Sequence, residues 1–404
     1  MKTFVLPLLF AGLAATASAE FKPAVQADLR GRYENQQSSA SSNWGQSLNL
    51  LAVPAFSFGR QTILPVFAIQ QQGRGVEAGL DSSPELLFVR RNLFLAKPTW
   101  LYSINDAYAV KAWVTAKRAV NAEKSDTAWS LGLYDWEEFA AGLGGDYKMG
   151  GAVDKLSVGL EYEHRTYMNW HESGASLSAF KNYYSKDYNA LKATVAAKSP
   201  AKTALPWNAS LTWLSKAYTD NFLIRRVQSA GGGETTDGTL DLDVLRSDNL
   251  LRLGGNISMG LSATLVLTLD YDLDWNLSNQ NYFDSVYNQG VLDFYGYLSN
   301  EVGISAQWAP KGNDGLVAVV RAGLTNRAYS GRLIRNPNQD YTQGTQADLE
   351  QDYSLDMSYP FFVKGLSLVA GTSWLNVLSN QAYSPGSASS YDIFAVNAGL
   401  RYAL

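Results

Sequence analysis

Three carboxylates stand at every second position of the segment TLVLTLDYDLDW. Carboxylates spaced in this way can bind a cation together or draw cations along a surface. Asp270, Asp272 and Asp274 match the first ligand positions of an EF-hand calcium loop. The rest of that loop is missing, because Trp275 stands where its sharp turn needs glycine and Asn281 where it needs a bidentate glutamate. We therefore expect no calcium site here.

Acid–base or nucleophilic catalysis would need a histidine held by a partner. The chain has two histidines, His164 and His171. His164 stands between Glu163 and Arg165, and neighbouring residues of a strand point to opposite faces. We therefore expect no enzyme activity, no catalytic residue and no cofactor.

A second group of acids lies in the glycine-rich segment GGGETTDGTLDLD. Its carboxylates, on Glu234, Asp237, Asp241 and Asp243, could hold a calcium ion in an exposed loop. A solvated loop is the simpler interpretation of this composition, so we expect no metal site.

The aspartates of the first segment fit one face of a β-strand. Side chains alternate between the two faces, so Leu269, Tyr271 and Leu273 share the face opposite the acids. A soluble β-sandwich would bury the apolar face, whereas a transmembrane barrel would turn it to lipid and the acids to a watery lumen. The same alternation recurs in AVQADLRGRYE, YAVKAWVTAK, LKATVAAK and LEQDYSLDMSY.

About sixteen segments of this kind can be counted, and fourteen or eighteen strands remain open alternatives. The predicted strands lie near residues 22–34, 47–58, 61–72, 85–97, 107–118, 137–149, 155–168, 184–198, 206–218, 247–259, 262–276, 294–308, 315–328, 347–359, 365–377 and 390–404. Long polar links such as NQQSSASSNWGQ alternate with short ones such as FGR, which is typical of bacterial outer-membrane barrels.

The N-terminus has the pattern of a secretory signal peptide. One basic residue, Lys2, precedes an apolar run from Phe4 to Leu13, and small residues end at Ala19. We expect residues 1–19 to be cleaved, so that the mature chain begins near Glu20. No internal stretch approaches the roughly 20 apolar residues of a membrane helix, so a membrane-spanning mature chain would have to be a closed barrel.

Composition agrees with strands and turns in an exported protein. The chain has no cysteine, so an exported form would depend on hydrogen bonding and packing instead of disulfides. It has 23 tyrosines and 34 glycines with 17% charged residues, a mixture that favours strands and turns over charged helices. The net charge of −4 gives no reason to expect a nucleic-acid partner.

The last segment, FAVNAGLRYAL, begins at Phe394 and ends at Leu404 with apolar or aromatic residues at alternate positions. It resembles the terminal strand of bacterial outer-membrane β-barrels, although phenylalanine is the usual last residue. The resemblance implies an all-β protein, a transmembrane antiparallel up-and-down barrel of porin-like type, in the outer membrane of a Gram-negative bacterium. It also implies contact with outer-membrane lipid and recognition of this strand by the barrel-assembly machinery, and it leaves a homotrimer open.

A single barrel over residues 20–404, with short periplasmic turns and long extracellular loops, would place one set of charged side chains in the lumen. The candidate pore-lining residues are Asp28, Arg30, Arg32, Lys111, Lys117, Lys192, Lys198, Asp270, Asp272, Asp274, Glu301, Arg321, Arg327, Glu350, Asp352 and Asp356. Acids concentrate from Asp270 to Asp356 and most bases precede them. This charge pattern has two interpretations. The charges either form a transverse field that orients polar solutes or form salt bridges within the wall.

The segment LFVRRNLFL contains adjacent arginines, Arg90 and Arg91, and faintly resembles the paired arginines of phosphate-selective porins. No phosphate site follows from this alone. If the strand is regular, one arginine faces outward, which costs about 2–4 kcal/mol at the bilayer midplane and much less near the rim. We expect a bulge or a position near the membrane interface.

These patterns predict a porin that passes small hydrophilic solutes by passive diffusion. The alternatives are a channel selective for an oligosaccharide or an anion, and a non-conducting barrel with an adhesive or structural function. Outer-membrane phospholipases and omptin proteases share the architecture, but the two histidines give little support to catalysis. The candidate segments for a constriction are residues 120–136 and 219–246.

Overall fold

The computed structural model describes residues 20–36, 41–76, 89–122, 135–168, 186–228, 234–284, 289–336, 338, 340–382 and 390–404. The predicted signal peptide, residues 1–19, lies outside these ranges, and so do residues 123–134 of the predicted constriction segment 120–136. Across the described ranges, no helix is long and apolar enough to cross a membrane.

Sixteen long antiparallel strands form the body of the protein. They are β1 Val25–Gln36, β2 Ser41–Ala52, β3 Gln61–Val76, β4 Val89–Ser103, β5 Tyr108–Ala122, β6 Trp136–Gly150, β7 Val153–Tyr167, β8 Tyr188–Lys198, β9 Trp207–Gln228, β10 Glu234–Ser262, β11 Leu265–Ser278, β12 Tyr297–Trp308, β13 Val317–Arg335, β14 Tyr341–Pro360, β15 Leu366–Ser379 and β16 Tyr391–Ala403. Each pairs with the next along the chain. The predicted all-β up-and-down topology with about sixteen strands is confirmed.

The sheet closes because β16 pairs with β1. The register runs from Gln26 opposite Ala403 to Gln36 opposite Ile393. Closure leaves neither β1 nor β16 as a free edge, so the backbone hydrogen-bonding groups of both strands find partners within the sheet. The structure is therefore a barrel and not an open sheet or a sandwich.

Contacts between distant strands identify the inner face of the barrel. Arg30 on β1 donates a hydrogen bond to Asp356 on β14 at 3.3 Å, although β15 and β16 lie between them. Neighbouring strands are about 4.8 Å apart, so side chains three strands apart meet only on the concave side of a curved sheet. The face that carries Arg30 and Asp356 is therefore the lumen face.

The convex face is apolar on every strand. Each strand presents a large exposed apolar side chain there, and one from each of the sixteen in order is Leu29, Leu50, Phe67, Trp100, Val114, Leu143, Leu160, Val195, Leu211, Leu253, Leu269, Ile304, Val320, Tyr353, Leu368 and Leu400. Exposing this much apolar surface to water is unfavourable by about 25 cal/mol per Å². The polarity is that of a barrel surrounded by lipid.

The links at one end of the barrel are short. Residues 104–107, 151–152 and 263–264 join three of the strand pairs at this end, which we call the short-turn rim. Gly59, in the link between β2 and β3, and Gly150, at the end of β6, adopt φ values of 58° and 85°, a region that residues with a Cβ rarely occupy. The tight turns keep consecutive strands in antiparallel register.

Strand β4 differs from its predicted bounds. The sequence pattern predicts a strand over 85–97 that ends before Pro98, whereas β4 runs to Ser103 and leaves a link of only four residues. The register to β5 is the same on both sides of Pro98, with Ala96 opposite Ala116 and Thr99 opposite Trp113. Proline removes one backbone donor without ending the strand, because pairing with β5 resumes at Thr99, the next residue.

The prediction that residues 219–246 form a long loop between two strands is wrong. Strands β9 and β10 continue through it as a hairpin beyond the barrel wall, up to Gln228 opposite Glu234. Register shifts between Ala217 and Phe222 and again near Ile224 mark bulges where the hairpin leaves the regular wall. Alternating apolar residues continue into this segment, which is why it pairs instead of forming a loop.

A second hairpin packs beside this extension. Its strands are Tyr282–Asp284 and Gln289–Val291, and two buried amides anchor it. Gln280 Nε2 donates to Asn221 Oδ1 at 2.9 Å, and Asn281 Nδ2 donates to the Ile224 carbonyl at 2.7 Å. These bonds satisfy the buried amides and fix the β11–β12 link against the β9–β10 hairpin.

The closing seam offers a stability test at Gly399, which lies opposite Arg30. A Cβ at Gly399 would lie 1.9 Å from the Leu29 carbonyl oxygen, so Gly399→Ala must displace backbone. We expect a loss of about 1–3 kcal/mol, as in other overpacked sites, and a smaller folded fraction after refolding into detergent, measured by heat-modified gel mobility. Gly31→Ala is the matched control, because its Cβ would lie 4.0 Å from its nearest neighbour. Equal folded fractions would contradict the prediction.

Candidate functional site

A cluster of charges lies on the lumen face where the barrel closes. Asp28 accepts hydrogen bonds from Arg30 Nε at 2.8 Å and from Arg401 Nε at 2.9 Å, and only 5% of Asp28 is exposed. Arg30 also donates to Asn397 Oδ1 at 3.0 Å. Charge-assisted bonds of this kind fix side-chain positions. This part of the wall is a salt-bridge network.

A second network on β5, β6 and β7 surrounds Glu138, which is 1% exposed. Lys117 Nζ donates to one carboxylate oxygen of Glu138 at 2.5 Å, and Arg165 forms an ion pair with the other. The Arg165 guanidinium also lies 4.2 Å from the centre of the Trp136 ring. Arg165 also lies 3.6 Å from Glu163, so two cations and two carboxylates form this network and compensate the buried Glu138.

Further toward the short-turn rim, Asp146 lies between two lysines. Lys111 Nζ is 2.7 Å and Lys155 Nζ is 3.0 Å from its carboxylate oxygens. Lys192 on β8 is 3.4 Å from Glu161. Along this side of the lumen, cations outnumber the acids that they contact.

Trp113 is the main aromatic side chain of this wall. The register places Gly142 directly opposite Trp113, and the indole extends across β6 to β7, where Nε1 donates to Glu161 Oε2 at 2.5 Å. Three glycines, Gly142, Gly144 and Gly159, underlie the ring, and a Cβ at Gly142 would lie only 2.3 Å from it. The indole therefore lies flat against the wall, in space that only glycines leave open.

The acidic side of the lumen centres on β11 and β12. Arg252 Nε donates to Asp274 Oδ1 at 2.6 Å, and the register places Asp272 opposite Glu301. With Arg327 they line a recess of about 230 Å³. Asp272 and Glu301 have no hydrogen bond or ion pair in the described part of the chain, so this wall carries uncompensated negative charge.

The basic and acidic sides face each other. In a closed ring of sixteen strands, strands eight places apart lie across the lumen from one another, so β5 lies opposite β13. Lys111 and Lys117 on β5 thus lie opposite a region where Glu301, Glu350 and Asp352, on the strands flanking β13, accompany Arg321 and Arg327 on β13 itself. Salt bridges within the wall and a charge difference across the lumen exist together.

Arginine and tyrosine side chains stack at the end of the lumen remote from the short-turn rim. The Arg246 guanidinium lies 4.5 Å from the Tyr218 ring centre and 4.3 Å from that of Tyr295, and it donates to Asp248 at 2.8 Å. These groups line a recess of about 330 Å³ together with Lys216. Stacked guanidinium groups keep their charge while their flat faces are covered.

The strand register places all sixteen sequence-predicted candidates on the lumen face, because directly paired residues share a face. These candidates are Asp28, Arg30, Arg32, Lys111, Lys117, Lys192, Lys198, Asp270, Asp272, Asp274, Glu301, Arg321, Arg327, Glu350, Asp352 and Asp356. The register divides them among separate networks instead of bringing them to one centre. Lys198, at the short-turn rim, is 3.9 Å from Asp154.

Arg91 lies opposite Gln72 and shares its strand face with Lys97, on the lumen side. The described part of β4 keeps one register with β3 from Val89 to Tyr102, so the predicted bulge at the two arginines is absent there. Both arginines stand at the end of β4 that is remote from the short-turn rim, which agrees with the predicted position near the end of the wall.

His164 lies on the convex face, away from the lumen. Its Nδ1 is 2.9 Å from Asn189 Oδ1 and its Nε2 is 3.1 Å from Thr166 Oγ1. Glu163 points into the lumen, where it accepts a hydrogen bond from Tyr188. His171 lies outside the described residues. Among the described residues, no group of three or more histidines and acids is arranged to hold a metal ion.

Sequence reasoning did not single out Trp113, Lys97 or Glu138. The alternation already places Trp113 on the polar face of its strand, and an aromatic residue in a lysine-rich strand face is the signal that identifies it. Three nearby glycines in AAGLGGDY also indicate a close approach. Glu138 cannot be separated from Glu137 by sequence, because a shift of one residue exchanges the two faces.

The chain matches no protein-family model and no curated protein. Solved structures to which the chain is similar include Pseudomonas aeruginosa OccD3 (OpdP), with 11% identity over 95% of this chain and 91% of that one and a TM-score of 0.45. The Pseudomonas aeruginosa outer membrane protein opdK shows 13% identity over 95% and 99%, with a TM-score of 0.45. Acinetobacter baumannii OccAB3 shows 11% identity over 95% and 100%, with a TM-score of 0.43. These likenesses are low, and the strand order of the chain itself establishes the architecture: a closed β-barrel of sixteen antiparallel strands.

Proposed function

We propose that the protein is an outer-membrane porin, a water-filled channel through which small hydrophilic solutes diffuse passively. The observation that carries the proposal is the inverted polarity of the barrel. Large apolar side chains cover the convex face of all sixteen strands, while charged side chains occupy the concave face. Charged side chains on the lumen wall favour a lumen filled with water. A barrel of this strand number is wide enough to hold a channel.

The lengths of the links indicate how the barrel is oriented in the membrane. Short turns face the periplasm in bacterial outer-membrane barrels, so we assign the short-turn rim to the periplasm and the β9–β10 hairpin to the outside. Aromatic side chains near the short-turn rim fit a membrane interface at that level, since Tyr108 and Tyr147 stack there with ring centres 4.6 Å apart. Export would proceed with the N-terminal residues as a cleaved signal peptide.

The charge pattern suggests how solutes are sorted. Cations on β5 to β8 face acids on β11 to β14, and both sets border the path through the lumen. A dipolar solute would be oriented across this field, while neither small cations nor small anions would be excluded. We therefore propose weak ion selectivity, with the sixteen lumen-face candidates as pore-lining residues.

Conductance of the refolded protein in a planar lipid bilayer tests the proposal. We expect stable current steps and a reversal potential close to zero in a tenfold salt gradient, because charges of both signs line the lumen. Absence of steps from a protein whose gel mobility is heat-modifiable would contradict a channel. It would favour the alternative of a non-conducting barrel whose outer hairpins bind a partner.

The convex face and the last strand of the barrel indicate which partners the protein contacts. We propose that the convex face contacts outer-membrane lipid and that the barrel-assembly machinery reads β16, whose apolar residues lie on the outside from Phe394 to Leu400. A homotrimer remains a proposal that chemical cross-linking in native membranes would test. Absence of any cross-linked band above the monomer would favour a monomeric barrel.

A further inference from the structure

The indole of Trp113 forms a flat platform on the lumen wall. It crosses from β5 over β6 to β7, and its edge is fixed by the hydrogen bond from Nε1 to Glu161. Gly142 and Gly144 support it from behind, while the outer corner of the ring is in ordinary contact distance of the Gly159 position. A ring that is fixed at its edge and supported from behind presents its other face to the lumen.

A cation already lies over that face. Lys97 Nζ is 5.3 Å from the centre of the Trp113 ring, within cation–π range. Within the described residues, the Lys97 ammonium has no hydrogen bond and no ion pair. Lys111 and Lys192, in contrast, are each within 3.4 Å of a carboxylate. Lys97 is therefore the uncompensated cation of this region.

The platform is the floor of an open recess of about 260 Å³. Besides Lys97 and Trp113, its wall includes Glu161, Lys192 and the Thr194 side chain. Glu161 accepts hydrogen bonds, the lysines donate them, and a hydroxyl does both. This combination of a flat apolar face and a ring of donors and acceptors matches a polyhydroxylated ring, whose C–H face is apolar and whose edge is polar.

The charges around the recess define the ligand further. Lys97 and Lys192 stand against a single carboxylate, that of Glu161, so the recess has an excess of positive charge. A neutral sugar would leave this charge without a partner. A ligand carboxylate beside Lys97 would receive a charge-assisted hydrogen bond while its ring covers the indole.

We propose that the recess on Trp113 is a binding site for an anionic six-membered sugar ring of the uronate class. The ring stacks on the indole, and its carboxylate pairs with Lys97, which moves from the ring centre to the ring edge. The proposal rests on the water-filled lumen argued above, since the ligand reaches the platform only through that lumen. It adds a specific solute class to a channel that otherwise sorts by size and charge.

Isothermal titration of the detergent-solubilised, refolded protein measures this binding without requiring any ionic current. The probes are glucuronate, glucose, which keeps the ring without the charge, and gluconate, which keeps the carboxylate without the ring. We expect glucuronate to bind at least about tenfold more tightly than either, because each lacks one of the two contacts. Equal affinities for glucuronate and gluconate would reduce the site to a simple anion site and overturn the proposal.

Two glycine variants separate the platform from general effects on folding. Gly142→Ala would put a Cβ 2.3 Å from the indole and so displace the ring, whereas Gly159→Ala would put one at 3.4 Å, an ordinary contact. We expect Gly142→Ala to weaken glucuronate binding about tenfold and Gly159→Ala to leave it within about twofold, since tenfold corresponds to about 1.4 kcal/mol. Both variants must show heat-modifiable gel mobility.

Lys97→Gln tests the ionic half of the site. It should remove the preference for glucuronate over glucose and leave the weak affinity for glucose unchanged, because the platform is intact. Undiminished preference for glucuronate in Lys97→Gln, or undiminished glucuronate affinity in Gly142→Ala, would overturn the proposal. Current through the channel is measured separately, so a channel that conducts without binding glucuronate refutes only the site, and a barrel that binds it without conducting refutes only the porin.

Discussion

Replacing Glu138 with glutamine is expected to lower the free energy of unfolding by about 2–3 kcal/mol. Glu138 is 1% exposed and is the shared partner of Lys117 and Arg165. Loss of its charge leaves two cations close together in the wall. The expected value is below the roughly 3–5 kcal/mol found for fully buried pairs, because the side chains of Lys117 and Arg165 keep 30% and 22% of their exposure.

The preceding residue provides a matched control. Glu137 carries the same side chain on the convex face, where it lies 3.2 Å from Arg118 and both side chains are substantially exposed. Glu137→Gln should cost less than about 1 kcal/mol. Urea unfolding of each variant in detergent micelles, followed by tryptophan fluorescence, measures the difference. Equal losses for Glu137→Gln and Glu138→Gln would show that the buried network does not stabilise the barrel.

Changing Asp270, Asp272 and Asp274 together to asparagine should shift the selectivity of the channel toward anions. A unit charge about 8 Å from a passing ion in water changes its energy by about 0.5 kcal/mol, or roughly twofold in occupancy. The effects of three such charges multiply, so we expect the ratio of cation to anion permeability to fall by about eightfold or more. Arg252 donates a hydrogen bond to Asp274 at 2.6 Å. In the triple variant residue 274 is neutral, so the positive charge of Arg252 is no longer compensated and favours anions further.

The reversal potential in a tenfold gradient of potassium chloride measures this shift. A second triple variant, with Asp106, Asp314 and Asp340 changed to asparagine, alters the net charge equally at exposed positions in links between strands. We expect its reversal potential to match that of the unmodified protein. A shift of the same size in both triple variants would mean that net charge, and not the lumen wall, determines selectivity.

Alternation along the sequence was sufficient to predict the strands and their two faces. The period of two is a local property, so the register later placed every candidate from Asp28 to Asp356 on one face. Sequence also predicted the strand number, because each wall segment must repeat the same length and polarity. Its errors lay at strand ends, at Pro98 and in residues 219–246, where pairing with a neighbour decides whether an extended segment continues.

The partners of each charge were decided only by the closed sheet. Arg30 and Asp356 are 326 positions apart in sequence and meet because β16 pairs with β1 and the wall curves. The position of the Trp113 side chain depends in the same way on Gly142. Gly142 lies opposite Trp113 because of the register in which β5 and β6 pair. Sequence thus determined which side chains point inward, since strand geometry is local. The tertiary structure decided which of them meet, because closure and register are properties of the whole sheet.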